Sequence, residues 1–122
     1  LTNRYKGKVI YVDFWATWCS PCLMQIDQVK SIKSQFKDVV FMYLSASSPE
    51  GRWKFVVQDK DIAGEHYLLS SDQLNYLSKS FNISSFPHYL LINKKAELVN
   101  RNSPSPSKVA ELTKALADLS SE

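Results

Sequence analysis

The chain has 122 residues, enough for one domain with one hydrophobic core, and its 44% apolar and 22% charged residues are those of an ordinary globular protein. A net charge of +3 with scattered lysines argues against a nucleic-acid partner. No apolar run approaches the ~18 residues that a membrane span needs.

The opening residues, Leu1 to Lys6, lack the apolar core of a signal peptide, and the chain has no starting Met. It reads as a single domain, residues 1–122, cut from a longer polypeptide as its C-terminal part. Lys8 to Trp15 is a nearly continuous apolar run rich in β-branched and aromatic residues, the pattern of a strand buried on both faces. Asp13 interrupts it. Only two cysteines occur, Cys19 and Cys22, with Ser20 and Pro21 between them. A bridge between them closes almost no loop, so the pair points to redox chemistry or to half of a metal site.

A helix is expected next, with Leu23, Ile26, Val29, Ile32 and Phe36 at three- and four-residue spacing. Val39 to Leu44 reads as a second buried strand, Ser45 to Gly51 as a loop, and Trp53 to Lys60 as a short helix. His66 to Leu69 follows as a short strand. Ser70 with Gln73 three positions on resembles a capping box, ahead of Leu74, Leu77 and Phe81 on one helical face. His88 to Ile92 is a strand entered through Phe86-Pro87, Asn93 to Lys95 a turn, and Glu97 to Asn100 its antiparallel return. After a Pro/Ser break at 103–107, Val109, Leu112, Leu116 and Leu119 mark a terminal helix with Pro106 in its first turn. This order predicts an α/β fold: a βαβ unit followed by a hairpin covered by a helix.

Disulfide exchange needs a thiolate and a second thiol close enough to resolve the mixed disulfide. Two cysteines three positions apart at a helix start meet both needs. Cys19 falls at the helix N-terminus, where free N–H groups and the helix dipole favour negative charge, and Cys22 falls one turn in. Zinc needs two further ligands, and only His66 and His88 remain, at no common finger spacing. No metal and no cofactor is expected. Asp13 either reaches solvent at the strand end or is a buried acid that exchanges a proton with Cys22. Pro87 is either an ordinary edge proline or a cis proline that brings the backbone of Phe86 beside the sulfurs. His88 either stabilises a thiolate or is a structural strand residue.

The run Val12-Asp13-Phe14-Trp15-Ala16-Thr17-Trp18-Cys19-Ser20-Pro21-Cys22 resembles the active site of the thioredoxin superfamily, and Ile83 to Ile92 resembles its cis-proline segment. Lys6-Gly7-Lys8, the Trp-Ala-Thr-Trp-Cys wording and the extra segment from about Ser48 to Tyr67 are most similar to the TlpA/ResA-like group, tethered extracytoplasmic thioredoxins of bacteria. The resemblance implies a thioredoxin fold: a central mixed β-sheet flanked by helices, with a helix-containing insertion after the second strand. It implies Cys19 as attacking thiol, Cys22 as resolving thiol, Asp13 as buried acid, and Trp18, Phe86 and the cis Pro87 at the substrate surface.

Two features depart from the group. Asp13 stands where many members carry Asn, and Gln25 where some carry a functional Glu. The group's N-terminal hairpin is also missing.

The expected function is a thiol–disulfide oxidoreductase acting on protein thiols and disulfides as a reductant, fed by an upstream thiol donor, monomeric and facing the periplasm or cell envelope. The alternative is a thioredoxin-fold binding module with little turnover. A peroxiredoxin-like peroxidase would carry Thr where Ala16 stands, and copper delivery would need more soft or imidazole ligands.

Overall fold

The computed structural model describes residues 2–122. Five strands form one sheet: β1 (Ile10–Trp15), β2 (Val40–Ser45), β3 (Glu65–Leu68), β4 (His88–Ile92) and β5 (Leu98–Asn100). Their order is β3-β2-β1-β4-β5. β1 pairs parallel with β2 and antiparallel with β4. β2 and β3 are parallel, and β4 and β5 antiparallel, so the sheet is mixed. The central position of β1 explains its composition. All six of its residues are buried, because helices cover both faces of the sheet.

Side chains alternate across the sheet, so β1 feeds two cores. Ile10, Val12 and Phe14 pack with Met42, Leu44 and Leu90, under Leu77 and Phe81 of α4 (Ser71–Phe81). Val9, Tyr11 and Trp15 pack on the other face with Ile26 of α1 (Ser20–Gln28), Ile32 of α2 (Lys30–Gln35), and Leu112 and Leu116 of α5 (Val109–Ser120). Asp13, an odd-numbered residue of β1, belongs to this second face, which it shares with both cysteines. Val56 of α3 (Glu50–Asp59) closes the same core.

The expected thioredoxin fold is present, with several boundaries corrected. The helix after Cys22 is interrupted at Val29, although backbone bonding runs through: the Val29 N–H donates to Gln25 O, and the Lys33 N–H donates to Val29 O. The expected loop at 45–51 is shorter, because extended Pro49 leads directly into α3 and Glu50 opens it, where an acidic residue favours the helix dipole. Pro106 lies ahead of α5 and not in its first turn. Lys108 is non-helical (φ −88°, ψ 66°), and its N–H closes a turn on Ser105 O. A 3₁₀ turn at Thr2–Tyr5 was not expected. Its Tyr5 hydroxyl reaches Glu65 Oε1 at 2.6 Å.

The capping box holds as read. Ser70 and Gln73 form the reciprocal capping box of α4, worth about 1 kcal/mol, and left-handed Asn82 ends that helix. Gly64, at φ +142°, leads into β3 so close to β2 that a Cβ would lie 2.6 Å from Phe41 O.

Candidate active site

β1 ends at Trp15, and three residues later the chain enters α1 through the Cys19–Cys22 turn. Cys19 is the N-cap in extended conformation, and Pro21 occupies the first helical turn, where no N–H is needed. The Cys22 N–H donates to Cys19 Sγ at 3.3 Å, so the sulfur occupies the position of a capping oxygen. The two cysteines form a disulfide with Cα atoms 5.3 Å apart. Cys19 keeps 6% of its surface exposed and Cys22 none. The helix terminus that binds a capping atom also stabilises a thiolate there.

The turn before Cys19 is held from outside. Ser48, in the loop after β2, meets the Thr17 N–H at 3.1 Å, Thr17 Oγ1 at 3.2 Å and Ser45 Oγ at 3.2 Å, and donates to Ala46 O at 3.0 Å. One hydrogen and two lone pairs satisfy three of these four contacts at a time. The neighbouring Ser47 is left-handed (φ 51°), and its carbonyl accepts the Trp18 indole N–H at 3.0 Å. Trp18 is 63% exposed yet tethered, with its ring edge-on to Phe86 at 6.4 Å. The Phe86–Pro87 peptide bond is cis. Ser48→Ala therefore loosens the 16–18 turn and lowers stability by about 1–2 kcal/mol, the scale of a broken part-buried hydrogen-bond hub. Chemical denaturation measures this loss, and Ser48→Thr, which keeps a hydroxyl, recovers part of it.

Asp13 is 4% exposed and does not reach solvent. Burial pushes its carboxyl up to about 8, against the weaker pull of the Lys33 cation. Lys33 of α2 is itself lowered to about 8 by burial, with the Asp13 charge opposing that shift. The Lys33 ammonium sits 4.7 Å above the Tyr43 ring. In register, Asp13 lies between Tyr43 on β2 and Tyr89 on β4. Asp13 Oδ1 and both tyrosine hydroxyls are buried and find no hydrogen-bond partner among the described residues. This polar layer in an otherwise apolar core was not legible beforehand. Both tyrosines were visible, but only strand pairing shows which residues neighbour Asp13.

The remaining candidates do not join the site. His88 hydrogen-bonds to Arg101 O at 2.7 Å and meets Phe14 edge-on. His66 stacks on Tyr43 and bonds Ile62 O at 2.7 Å, and β2 and β1 separate its strand from that of His88. Gln25 is used structurally: its amide bonds the backbone and hydroxyl of Ser107, tying α1 to the segment before α5.

A mixed sheet whose central strand runs into a disulfide at a helix start, with a cis proline leading into the neighbouring strand β4, defines the thioredoxin class of fold and site. The chain belongs to the thioredoxin-like family, whose model matches residues 7–98. Among relatives, it is 24% identical over 97 residues to the thiol-disulfide oxidoreductase ResA of Bacillus thuringiensis, covering 78% of this chain and 54% of that protein. The chain thus spans about half the length of the curated relatives it matches. Its fold is similar to the thioredoxin domain of a thiol-disulfide oxidoreductase from Bacteroides vulgatus, with TM-score 0.82 and 24% identity over 95% of this chain and 81% of the other. It is also similar to the pneumococcal exposed lipoprotein thioredoxin of Streptococcus pneumoniae, with TM-score 0.71 and 23% identity over 93% and 88%.

Proposed function

We propose that this chain is a thiol–disulfide oxidoreductase that reduces disulfides in protein substrates. The observation that carries this reading is the Cys19–Cys22 disulfide capping α1, with Cys19 the more exposed partner. In the reduced protein, the Cys19 thiolate attacks a substrate sulfur, forms a mixed disulfide and releases one substrate thiolate. Cys22 then gives up its proton and attacks Cys19 Sγ, which frees the second substrate thiolate and closes the Cys19–Cys22 bridge. Two electrons pass to the substrate, and a thiol donor upstream restores the dithiol.

Asp13 is the acceptor for the Cys22 proton in this reading. Burial raises the Asp13 carboxyl to about 8, which makes its carboxylate a stronger base than that of an exposed aspartate. Trp18, Phe86 and Pro87 form the surface that receives the substrate. The likeness to ResA and to an exposed lipoprotein thioredoxin supports an extracytoplasmic site of action. No helix among the described residues is long and apolar enough to cross a membrane.

Insulin reduction driven by a thiol donor tests the activity, and a rate no greater than the donor's own rules it out. The assignment of roles has its own check. Limiting iodoacetamide should label Cys19 ahead of Cys22 in the reduced protein, because Cys19 holds the helix-terminal, more exposed position. Peptide mass mapping that finds both labelled equally contradicts the assignment.

A further inference from the structure

The two ends of the sheet differ in charge. Near the disulfide, two clefts of about 490 and 370 Å³ share Leu74 in their linings and hold no Asp, Glu, Lys or Arg. At the opposite end, where β2 and β3 begin, a cleft of about 510 Å³ holds three cations: Arg4, Lys33 and Lys37. They come from three places in the fold: the Thr2–Tyr5 turn, α2, and the loop after α2. Glu65 is the acid in this lining, and it is already engaged: it accepts the Tyr5 hydroxyl at 2.6 Å and lies 4.0 Å from Arg4. Lys33 and Lys37 make no ion pair among the described residues.

Lys33 is the unusual member. Its ammonium donates to Ala63 O, which uses one of its three hydrogens, and lies 5.6 Å over the Phe41 ring and 4.7 Å over the Tyr43 ring. Burial lowers it to about 8, so this cation has lost water without gaining a carboxylate in contact. Aromatic side chains wall the same cleft: Tyr5, Phe36 and Phe41.

We infer that this cleft binds a small anionic ligand whose charge is carried on a flat apolar body, the chemistry of an aryl carboxylate. The cations select the charge, because a carboxylate that accepts the remaining Lys33 hydrogens forms charge-assisted bonds. The rings select the body, because a flat apolar group buries area against them that a bare anion leaves wet. The volume falls within the roughly 300–1,000 Å³ that small-molecule sites occupy. Binding here leaves the redox pair open. The cleft lies at the start of β2, and Cys19 follows the end of β1, its parallel neighbour.

The probe is 2-naphthoate, with 2-naphthalenemethanol as its uncharged counterpart and acetate as an anion without the ring. Amide chemical shifts of the oxidised chain are followed by NMR during each titration. Naphthoate should shift the amides of Phe36, Lys37, Phe41 and Gly64 saturably, with a dissociation constant below about 1 mM. It should bind about fivefold to tenfold more tightly than either the alcohol or acetate, the scale of a partly exposed charge-assisted contact. Lys33→Met should weaken naphthoate by about tenfold, and Lys37→Glu, an exposed change that leaves the packing intact, by about fivefold. Lys79→Glu, the same charge change on α4, should leave the affinity as it is.

Absence of saturable shifts at these amides by roughly 10 mM naphthoate overturns the site. Equal affinity for naphthoate and the alcohol overturns it as well, since the cations then select nothing. So does an equal loss from Lys37→Glu and Lys79→Glu, which makes the attraction a property of net charge and not of the cleft.

Discussion

Cys19→Ser lowers disulfide reduction by at least about three orders of magnitude, the scale of losing a nucleophile outright. The other thiol at the helix start, Cys22, is fully buried. Cys22→Ser also stops turnover, but at a different point. The first exchange still occurs through Cys19, and the mixed disulfide then persists because the resolving thiol is gone. Non-reducing gels and mass spectrometry after mixing with a disulfide-bonded substrate separate the two cases. Adducts must appear with Cys22→Ser and be absent with Cys19→Ser. The reverse pattern would exchange the two roles, against the 6% exposure of Cys19 and the full burial of Cys22.

Asp13→Asn should move stability and rate in opposite directions. With its folded pKa raised to about 8, well above the unfolded carboxyl value near ~4, Asp13 holds its proton more tightly in the folded chain. Its contribution is fully present below the unfolded value and is lost as pH rises through the window from ~4 to about 8. At neutral pH the wild-type chain must therefore keep a poorly solvated acid in its core. Asparagine removes that penalty and should stabilise the fold by about 2–4 kcal/mol at pH 7, with little gain at pH 4. In the proposed mechanism the same change removes the acceptor for the Cys22 proton, and it should then slow resolution of the mixed disulfide by about tenfold to a hundredfold, at the lower end of general-base effects. Urea unfolding at the two pH values and single-turnover kinetics check both halves. A variant that is less stable and equally fast would make Asp13 a structural residue.

The buried neighbours of Asp13 set how far its shift goes. The Lys33 cation acts to lower the carboxyl, yet desolvation outweighs it. Tyr43 and Tyr89 flank Asp13 in register, and their own hydroxyls are pushed well above the usual phenol range, chiefly by burial. They stay neutral at any pH relevant to thiol chemistry. The layer thus holds neutral donors beside a single acid whose proton can move.

Much of this protein is decided by local sequence. Apolar runs identify β1, β2 and β4, because strands buried on both faces leave no room for polar residues. Ser70 and Gln73 specify the start of α4 by a bond between residues three apart, and within a helix Pro21 fits only the first turn. Cys19 and Cys22 are brought together by one turn of helix, so their pairing needs no tertiary information. The misplacement of Asp13 in an apolar run is visible in the sequence for the same reason.

What the sequence left open involves partners far apart in the chain. Periodicity assigns Asp13 to a face, but only the order β2-β1-β4 places Tyr43 and Tyr89 on either side of it. Ser48 reads as one serine among several in a loop, and it becomes the clasp on Thr17 through hydrogen bonds across a separation of 31 residues. The two clefts that share Leu74 are lined by the Trp18 turn, the 47–49 loop, α4 and the 83–86 segment, four pieces with no common pattern. Local sequence specifies elements because their stabilising contacts lie within a few positions. The surroundings of the disulfide depend on which elements pack together, and that is settled by the closure of two cores on one central strand.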